Sequence, residues 1–213
     1  MVLLLAFITM LIDHIGMIFF PSEDLWRIIG RISFPLFAWG IVRWYKMTKN
    51  KQNYAKRILA LALISQVPFF FINQELFLNV CFTLLFWLLS LWTIENKQIK
   101  WYFKIPVILA FLAISEIFHF DYGIYGILSI ILFYFTWQKK LTLLYFFLLT
   151  FLFYDINYQN FTFHFHIQIW ATLSIFILYF TPIQKYDFNM NYYIKYWFYP
   201  VHLMILYLIY WFL

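Results

Sequence analysis

Of 213 residues, 65% are hydrophobic and 11% charged, less than half the ~25% charge of an ordinary soluble domain, so no water-facing surface can be assembled from them. The net charge of +6 is spread through short breaks between apolar runs and not gathered on one face, which excludes a nucleic-acid partner. A single cysteine, Cys81, excludes an internal disulfide framework and reads as a small buried hydrophobe.

What is left is an all-α, polytopic transmembrane bundle with the lipid bilayer as its solvent, a single membrane domain over residues 1–213, and a multi-pass place in the inner (cytoplasmic) membrane of a cell. Apolar stretches predict about nine helices, near 2–20, 28–45, 58–73, 77–94, 105–118, 123–137, 141–154, 166–183 and 196–213. Several fall short of the ~20 residues that cross a bilayer upright, so tilt or interfacial flanks must make up the length. The first run has no Lys or Arg before Arg27 and no small-residue cleavage pattern, so it is expected to be a retained helix and not a signal peptide.

The breaks alternate in charge. Lys46, Lys49, Lys51, Lys56 and Arg57 fill the second, Lys97, Lys100 and Lys104 the fourth, Lys139 and Lys140 the sixth, and Lys185 and Lys195 the eighth. The odd breaks hold Glu23, Asp24, Glu75, Asp121 and Asp155, with Arg27 the basic exception. By the positive-inside rule the N-terminus is inside and the C-terminus outside. No repeat divides the helices into two similar halves, which weighs against an inverted-repeat transporter.

Ionisable side chains at membrane depth cost ~2.5–3.5 kcal/mol or more each, so they mark candidate chemistry. In the first helix stands Asp13-His14-Ile15-Gly16. Neighbouring helical residues point about 100° apart, so Asp13 and His14 must face different partners. A histidine suits general-base work, because its unperturbed pKa lies near ~6.5. The second helix opens with Arg27-Ile28-Ile29-Gly30-Arg31-Ile32-Ser33-Phe34-Pro35. Arg27 and Arg31 share a face, Gly30 admits a close neighbour, and Pro35 cannot bond the carbonyl of Arg31. The two guanidiniums could hold a phosphate or carboxylate, or neutralise Asp13.

Asn79 and Thr83, one turn apart, fit either helix-capping and interhelical bonds or donation to an oxyanion. His119, Asp121, Tyr122 and Gly123 form a turn at the edge of the same layer. His164 and His166 are too few ligands for a metal, and none is expected. In the last helix Tyr196, Tyr199 and His202 share a face, and counting from residue 196 puts His202 in the inner half, where it could line a cofactor tunnel. No Gly-rich phosphate loop, Gly-x-Ser-x-Gly elbow or His-Glu-x-x-His is present, so soluble-enzyme chemistry is not indicated.

Met10-Leu11-Ile12-Asp13-His14-Ile15-Gly16, Arg27 through Ala38, Ser65-Gln66-Val67-Pro68-Phe69, Asn79 through Leu84, Asp121-Tyr122-Gly123 and Phe198-Tyr199-Pro200-Val201-His202-Leu203 together resemble the TraX family, in this order and at comparable spacing. The likeness is poor between Leu141 and Lys195, where Tyr179-Phe180-Thr181-Pro182 stands in place of a Tyr-Asn-Gly stretch. The family's namesake is a pilin N-acetyltransferase, akin to multi-span membrane acyltransferases that draw acyl groups from cytoplasmic acyl-CoA. The resemblance implies an acetyl-CoA-dependent acyltransferase with His14 as catalytic base or acyl relay and Asp13, Arg31 and Asn79 around it. Its acceptor would be an amine or hydroxyl on an envelope glycan or exported peptide, met by Arg27, Thr83, Asp121 and Tyr122. Lys46, Lys56 and Arg57 are expected to dock the anionic end of CoA, whose arm would thread past Tyr199 and His202. The rival readings are a small-anion carrier or channel lined by the arginines and histidines, and a structural subunit of a secretion or conjugation assembly. Acyl chain length, N- versus O-acylation, a covalent intermediate and oligomeric state are left open by the residues.

Overall fold

The computed structural model describes residues 1–137, 139–157, 162–163, 166–186 and 191–213. Among them the chain is helical but for one two-residue ladder: α1 (Val2–Phe19), α2 (Asp24–Gly30), α3 (Ser33–Met47), α4 (Lys51–Asn73), α5 (Val80–Glu95), α6 (Trp101–Ile117), α7 (Gly123–Phe135), α8 (Thr142–Thr150), α9 (Thr172–Phe180) and α10 (Tyr192–Phe212). A π turn, Phe151–Asp155, extends α8, and a 3₁₀ turn, Ile167–Ala171, leads into α9. Ile156–Asn157 and Thr162–Phe163 make a two-residue antiparallel ladder between them.

Because α2 and α3 are parted only by Arg31 and Ile32, they act as one rod, Asp24–Met47, and the described segments form nine rods. The interruption falls where Pro35 withholds the N–H that the Arg31 carbonyl would otherwise receive. Three rods, Val2–Phe19, Asp24–Met47 and Lys51–Asn73, are long and apolar enough to cross a membrane. Large apolar side chains such as Leu63, Val67, Leu109, Leu148, Phe176 and Ile205 face outward, which water would not tolerate over so wide an area and lipid does. The molecule is a membrane protein.

Four helices, α2, α4, α6 and α10, begin at least four residues before the expected bounds, and two of them owe it to a capping asparagine. Asn50 caps α4 by accepting from the Asn53 N–H at 2.9 Å, so Lys51, Lys56 and Arg57 sit on a helix and not in a loop. Asn191 does the same for α10 through Tyr193 N–H at 2.9 Å, which moves its start from the expected 196 to Tyr192.

At the centre, α5 is buried on most sides through Leu84, Trp87, Leu88 and Leu91. It packs on α4, α6 and α7, while α1 lies against α2, α3 and α10. The basic breaks gather at one end. There Glu95 receives Lys51, Tyr45 and Tyr134, tying the ends of α3, α5 and α7 to the start of α4. The N-terminal ammonium also donates to the Tyr186 carbonyl at 2.8 Å, and Leu3 and Lys195 line the same space, so α1 and α10 start near one another. The acidic breaks gather at the other end, where the Leu78 and Phe120 backbones pair.

Candidate active site

Starting together, α1 and α10 carry their histidines to one depth. His14 lies twelve residues and about 18 Å into α1, and His202 ten residues and about 15 Å into α10, by the 1.5 Å rise per residue. His14 Nδ1 and His202 Nε2 are 2.8 Å apart, and His202 Nδ1 lies 2.7 Å from the Phe198 carbonyl oxygen. His202 therefore backs His14 and is not on a cavity wall. The expectation of an inward tunnel residue is corrected by the earlier start of α10. Tyr199 does line the cavity, with its ring centroid 6.3 Å from that of His14.

Asp13 turns to α2, as the 100° step between neighbours requires. Its carboxylate meets Arg27 Nη1 at 2.9 Å and Arg31 Nη2 at 2.9 and 3.1 Å, and its carbonyl accepts from Arg27 Nη1 at 3.2 Å. The Asp13 and Arg31 side chains are each 13% exposed, so these ion pairs sit largely out of water. Arg31 donates further to the Arg27 carbonyl at 3.3 Å and to Gln168 Oε1 at 3.3 Å. Two glycines make the approach of α2 to α1 possible. A methyl group at Gly30 would overlap the Asp13 carboxylate, and one at Gly16 would overlap Trp26.

Asp121 and Tyr122 close the site from the turn between α6 and α7. Tyr122 stacks on Phe34 with centroids 4.1 Å apart. Burial pushes the Asp121 carboxyl up to about 6, with Arg31 and Arg27 pulling the other way. Thr83 is turned away from the chemistry; its hydroxyl donates to the Asp121 carbonyl and fixes the turn. Asn79 is likewise structural. Its Oδ1 accepts from Cys81 N–H at 3.0 Å, and its Nδ2 donates to the Ala62 carbonyl and Gln66 Oε1, both at 2.8 Å. Neither residue lines any of the three spaces that follow.

Three spaces follow one another along the bundle, and neighbouring ones share wall residues. An apolar slot of about 180 Å³ runs along α1, α3 and α10 from Asp13, His14 and Tyr122 down to Trp44 and Lys195. From His14 to Leu3 it spans eleven residues of α1, about 16 Å. At its far end it shares Leu3, Gly40, Trp44 and Lys195 with a space of about 390 Å³ at the basic end, lined also by Arg43 and Arg57. Gly40 has nothing within 4 Å of where a Cβ would stand. Toward the acidic end His14, Asp13, Asp121 and Tyr122 also border a wide cavity of about 620 Å³ with Arg27, Arg31, Glu116 and His119 on its wall. His14 thus stands between spaces that lead to opposite ends of the bundle.

Of the expected docking groups, Arg57 alone is at the basic mouth. Lys46 turns to the Tyr134 carbonyl at 3.3 Å and lies over the Trp137 ring, and Lys56 is exposed on α4 without lining any of the three spaces. Arg43 and Lys195 occupy the mouth instead; Lys195 lies 4.5 Å from the Trp44 ring centroid. Gln168, which sequence reading passed over, is 2% exposed and joins the Arg31 network; its signal was a lone amide within an apolar run. His166 caps the 3₁₀ turn by accepting from Gln168 N–H at 3.1 Å, and His164 lies outside the described residues.

A family model described as TraX protein matches residues 1–210. No curated protein and no solved structure matches the chain.

Proposed function

The chain belongs to the TraX family, and on that premise we propose that it is an acyltransferase of the inner membrane that carries an acetyl group from acetyl-CoA on the cytoplasmic side to an amine or hydroxyl on the opposite side. The reading rests above all on the position of His14, at the inner end of a narrow apolar slot and on the wall of a wide polar cavity that opens at the other end of the bundle. One thioester-sized entrance and one acceptor-sized entrance converging on a histidine is the arrangement that transfer across a bilayer requires.

The dimensions support the donor. A pantetheine arm has about twelve bonds between its phosphate oxygen and its sulfur, which reach ~14 Å extended by backbone bond lengths, against a slot of about 16 Å. The slot wall, with Phe7, Met10, Phe37 and Leu61, suits methylenes and amides. Arg43, Arg57 and Lys195 stand where the phosphates of the nucleotide end would lie. Positive-inside topology makes this basic end cytoplasmic.

In the proposed reaction the thioester supplies an activated acetyl carbon, and the residues do the rest. His14 removes the proton of the acceptor. Arg27, which borders the wide cavity and keeps donors beyond those given to Asp13, stabilises the developing oxyanion, an interaction worth ~2.7–4 kcal/mol per donor in other enzymes. Asp13 holds both guanidiniums in place and limits their net charge. An envelope glycan or exported peptide would enter past Glu116, His119 and Asp121. A small-anion carrier is the weaker reading, because a hydrated ion leaving the arginines would have to cross the apolar slot.

The test is purified protein in nanodiscs with acetyl-labelled CoA. Label should be hydrolysed slowly or transferred to supplied amines or sugars, and His14→Ala should abolish this while melting as the parent does. Equal turnover by the variant removes His14 from the mechanism.

A further inference from the structure

The hydrogen bonds around His202 have a direction, and that direction reaches His14. A backbone carbonyl can only accept, so the 2.7 Å contact between His202 Nδ1 and the Phe198 oxygen places a proton on Nδ1. In the neutral ring Nε2 is then a lone pair, and it can only accept across the 2.8 Å to His14 Nδ1. His14 must carry its own proton on Nδ1, which leaves Nε2 as its basic atom. Neutral histidine in water favours the opposite tautomer, with the proton on Nε2.

We infer that His202 is the positioning residue of this site: through a Phe198 carbonyl–His202–His14 chain it fixes His14 in the Nδ1–H tautomer and aims Nε2 away from α10, toward the meeting point of the two cavities. The inference rests on His14 being the base proposed above. Three features support it. His202 is 6% exposed and lines none of the cavities, so it is not placed to touch a substrate. Its ring is clamped by the Phe198 side chain, stacked at 5.0 Å between centroids, and by Tyr199 at 5.7 Å. His14 Nε2 takes no hydrogen bond among the described residues, while Asp13, the acid next to it in sequence, is committed to Arg27 and Arg31 and cannot orient it.

The proton balance follows from the tautomer. His14 Nε2 takes the proton from the acceptor nitrogen or oxygen as that atom bonds to the thioester carbonyl carbon. The resulting imidazolium keeps its Nδ1–H in the bond to His202 Nε2. When the carbon–sulfur bond breaks, Nε2 returns the proton to the departing thiolate, so the free thiol leaves and His14 is again neutral with its proton on Nδ1. No other reactant is needed.

The experiment pairs ring-nitrogen NMR of ¹⁵N-histidine protein in nanodiscs with steady-state kinetics of the parent, His202→Phe and His202→Gln. The parent His14 should show a protonated Nδ1 and a bare Nε2. His202→Phe removes the acceptor: His14 should revert to the Nε2–H tautomer, and kcat should fall by about 100-fold or more, on the scale of general-base catalysis, with KM for acetyl-CoA unchanged. His202→Gln keeps an acceptor oxygen near the Nε2 position and should retain the Nδ1–H signature and recover much of kcat. An Nε2–H tautomer in the parent overturns the inference, as does a His202→Phe protein whose His14 tautomer and kcat are both unaltered. If His202→Phe does not fold, the parent spectrum and the glutamine variant decide. The NMR result stands without any turnover: the expected tautomer alongside a fully active His14→Ala protein would sink the proposed function and leave the hydrogen-bond chain intact.

Discussion

Filling Gly40 is the sharpest perturbation of the donor path, because it adds volume where the protein leaves space. Gly40→Leu places four carbon groups, each about the size of a water at ~30 Å³ and so roughly 120 Å³ in all, at the junction of a slot of about 180 Å³ with the basic mouth. Nothing lies within 4 Å of the new Cβ, so the fold loses no contact. Replacing a mid-helix glycine should add ~1 kcal/mol of helix stability. A donor arm that must share the slot with this side chain meets an overpacked site, at a cost of ~1–3 kcal/mol, which at 1.4 kcal/mol per decade is roughly a 5- to 150-fold loss. The assay is acetyl-CoA hydrolysis or transfer in nanodiscs with a parallel melting curve. KM for acetyl-CoA should rise by that factor while Tm is equal or higher. An unchanged KM at full occupancy of the fold would refute the slot as the donor path.

Asp13→Asn leaves two guanidiniums facing one another in a largely dry site, so stability should drop by ~3–5 kcal/mol, read as a lower midpoint in a denaturant titration and accompanied by loss of transfer. Asn79→Ala removes the cap of α5 and two buried bonds to α4; it should lower stability by ~1–2 kcal/mol and leave KM for acetyl-CoA as it was, whereas a loss of kcat without a loss of stability would return Asn79 to the chemistry. As pH rises through about 6, Asp121 gains a negative charge beside the site, which favours the imidazolium that forms on His14. The transfer rate should therefore rise with an inflection near that pH, and the inflection should be absent from the profile of Asp121→Asn.

The helices were legible because a bilayer accepts only long apolar segments with their backbone bonds satisfied inside, whereas the break at Arg31–Ile32 was not anticipated within the run 28–45, although Pro35 explains it. The divergence of Asp13 and His14 followed from helical geometry alone. Their partners were harder. The Asp13–Arg31 pair lies 18 residues apart on adjacent rods and was one of two open readings. The contact of His14 with His202 spans 188 residues, and it depends on where α10 starts. The hydrophobic run begins near 196, but a capped polar turn starts the helix at Tyr192, and four residues of helix move His202 by about 6 Å along the axis. That difference separates an inward tunnel residue from the neighbour of His14.

Charge patterning marked the basic end, but of the three side chains expected at its mouth only Arg57 lines it. Lys46 spends its ammonium on an aromatic pair and a carbonyl, and Arg43 and Lys195 reach the mouth because α3 ends and α10 begins beside it. The residue types at Asn79 and Thr83 fitted both capping and oxyanion donation, and in the fold their bonds go to Gln66, Cys81 and the Asp121 carbonyl.

Sidedness tests the central claim most directly. With the protein reconstituted in one orientation in sealed liposomes, acetyl-labelled CoA is supplied outside or inside and a membrane-impermeant amine or sugar acceptor on the other face. The account predicts labelled acceptor only when the donor is on the face carrying Arg57 and Lys195 and the acceptor is on the face carrying Glu116 and His119, with none from His14→Ala. Labelling only when donor and acceptor share one compartment would contradict it.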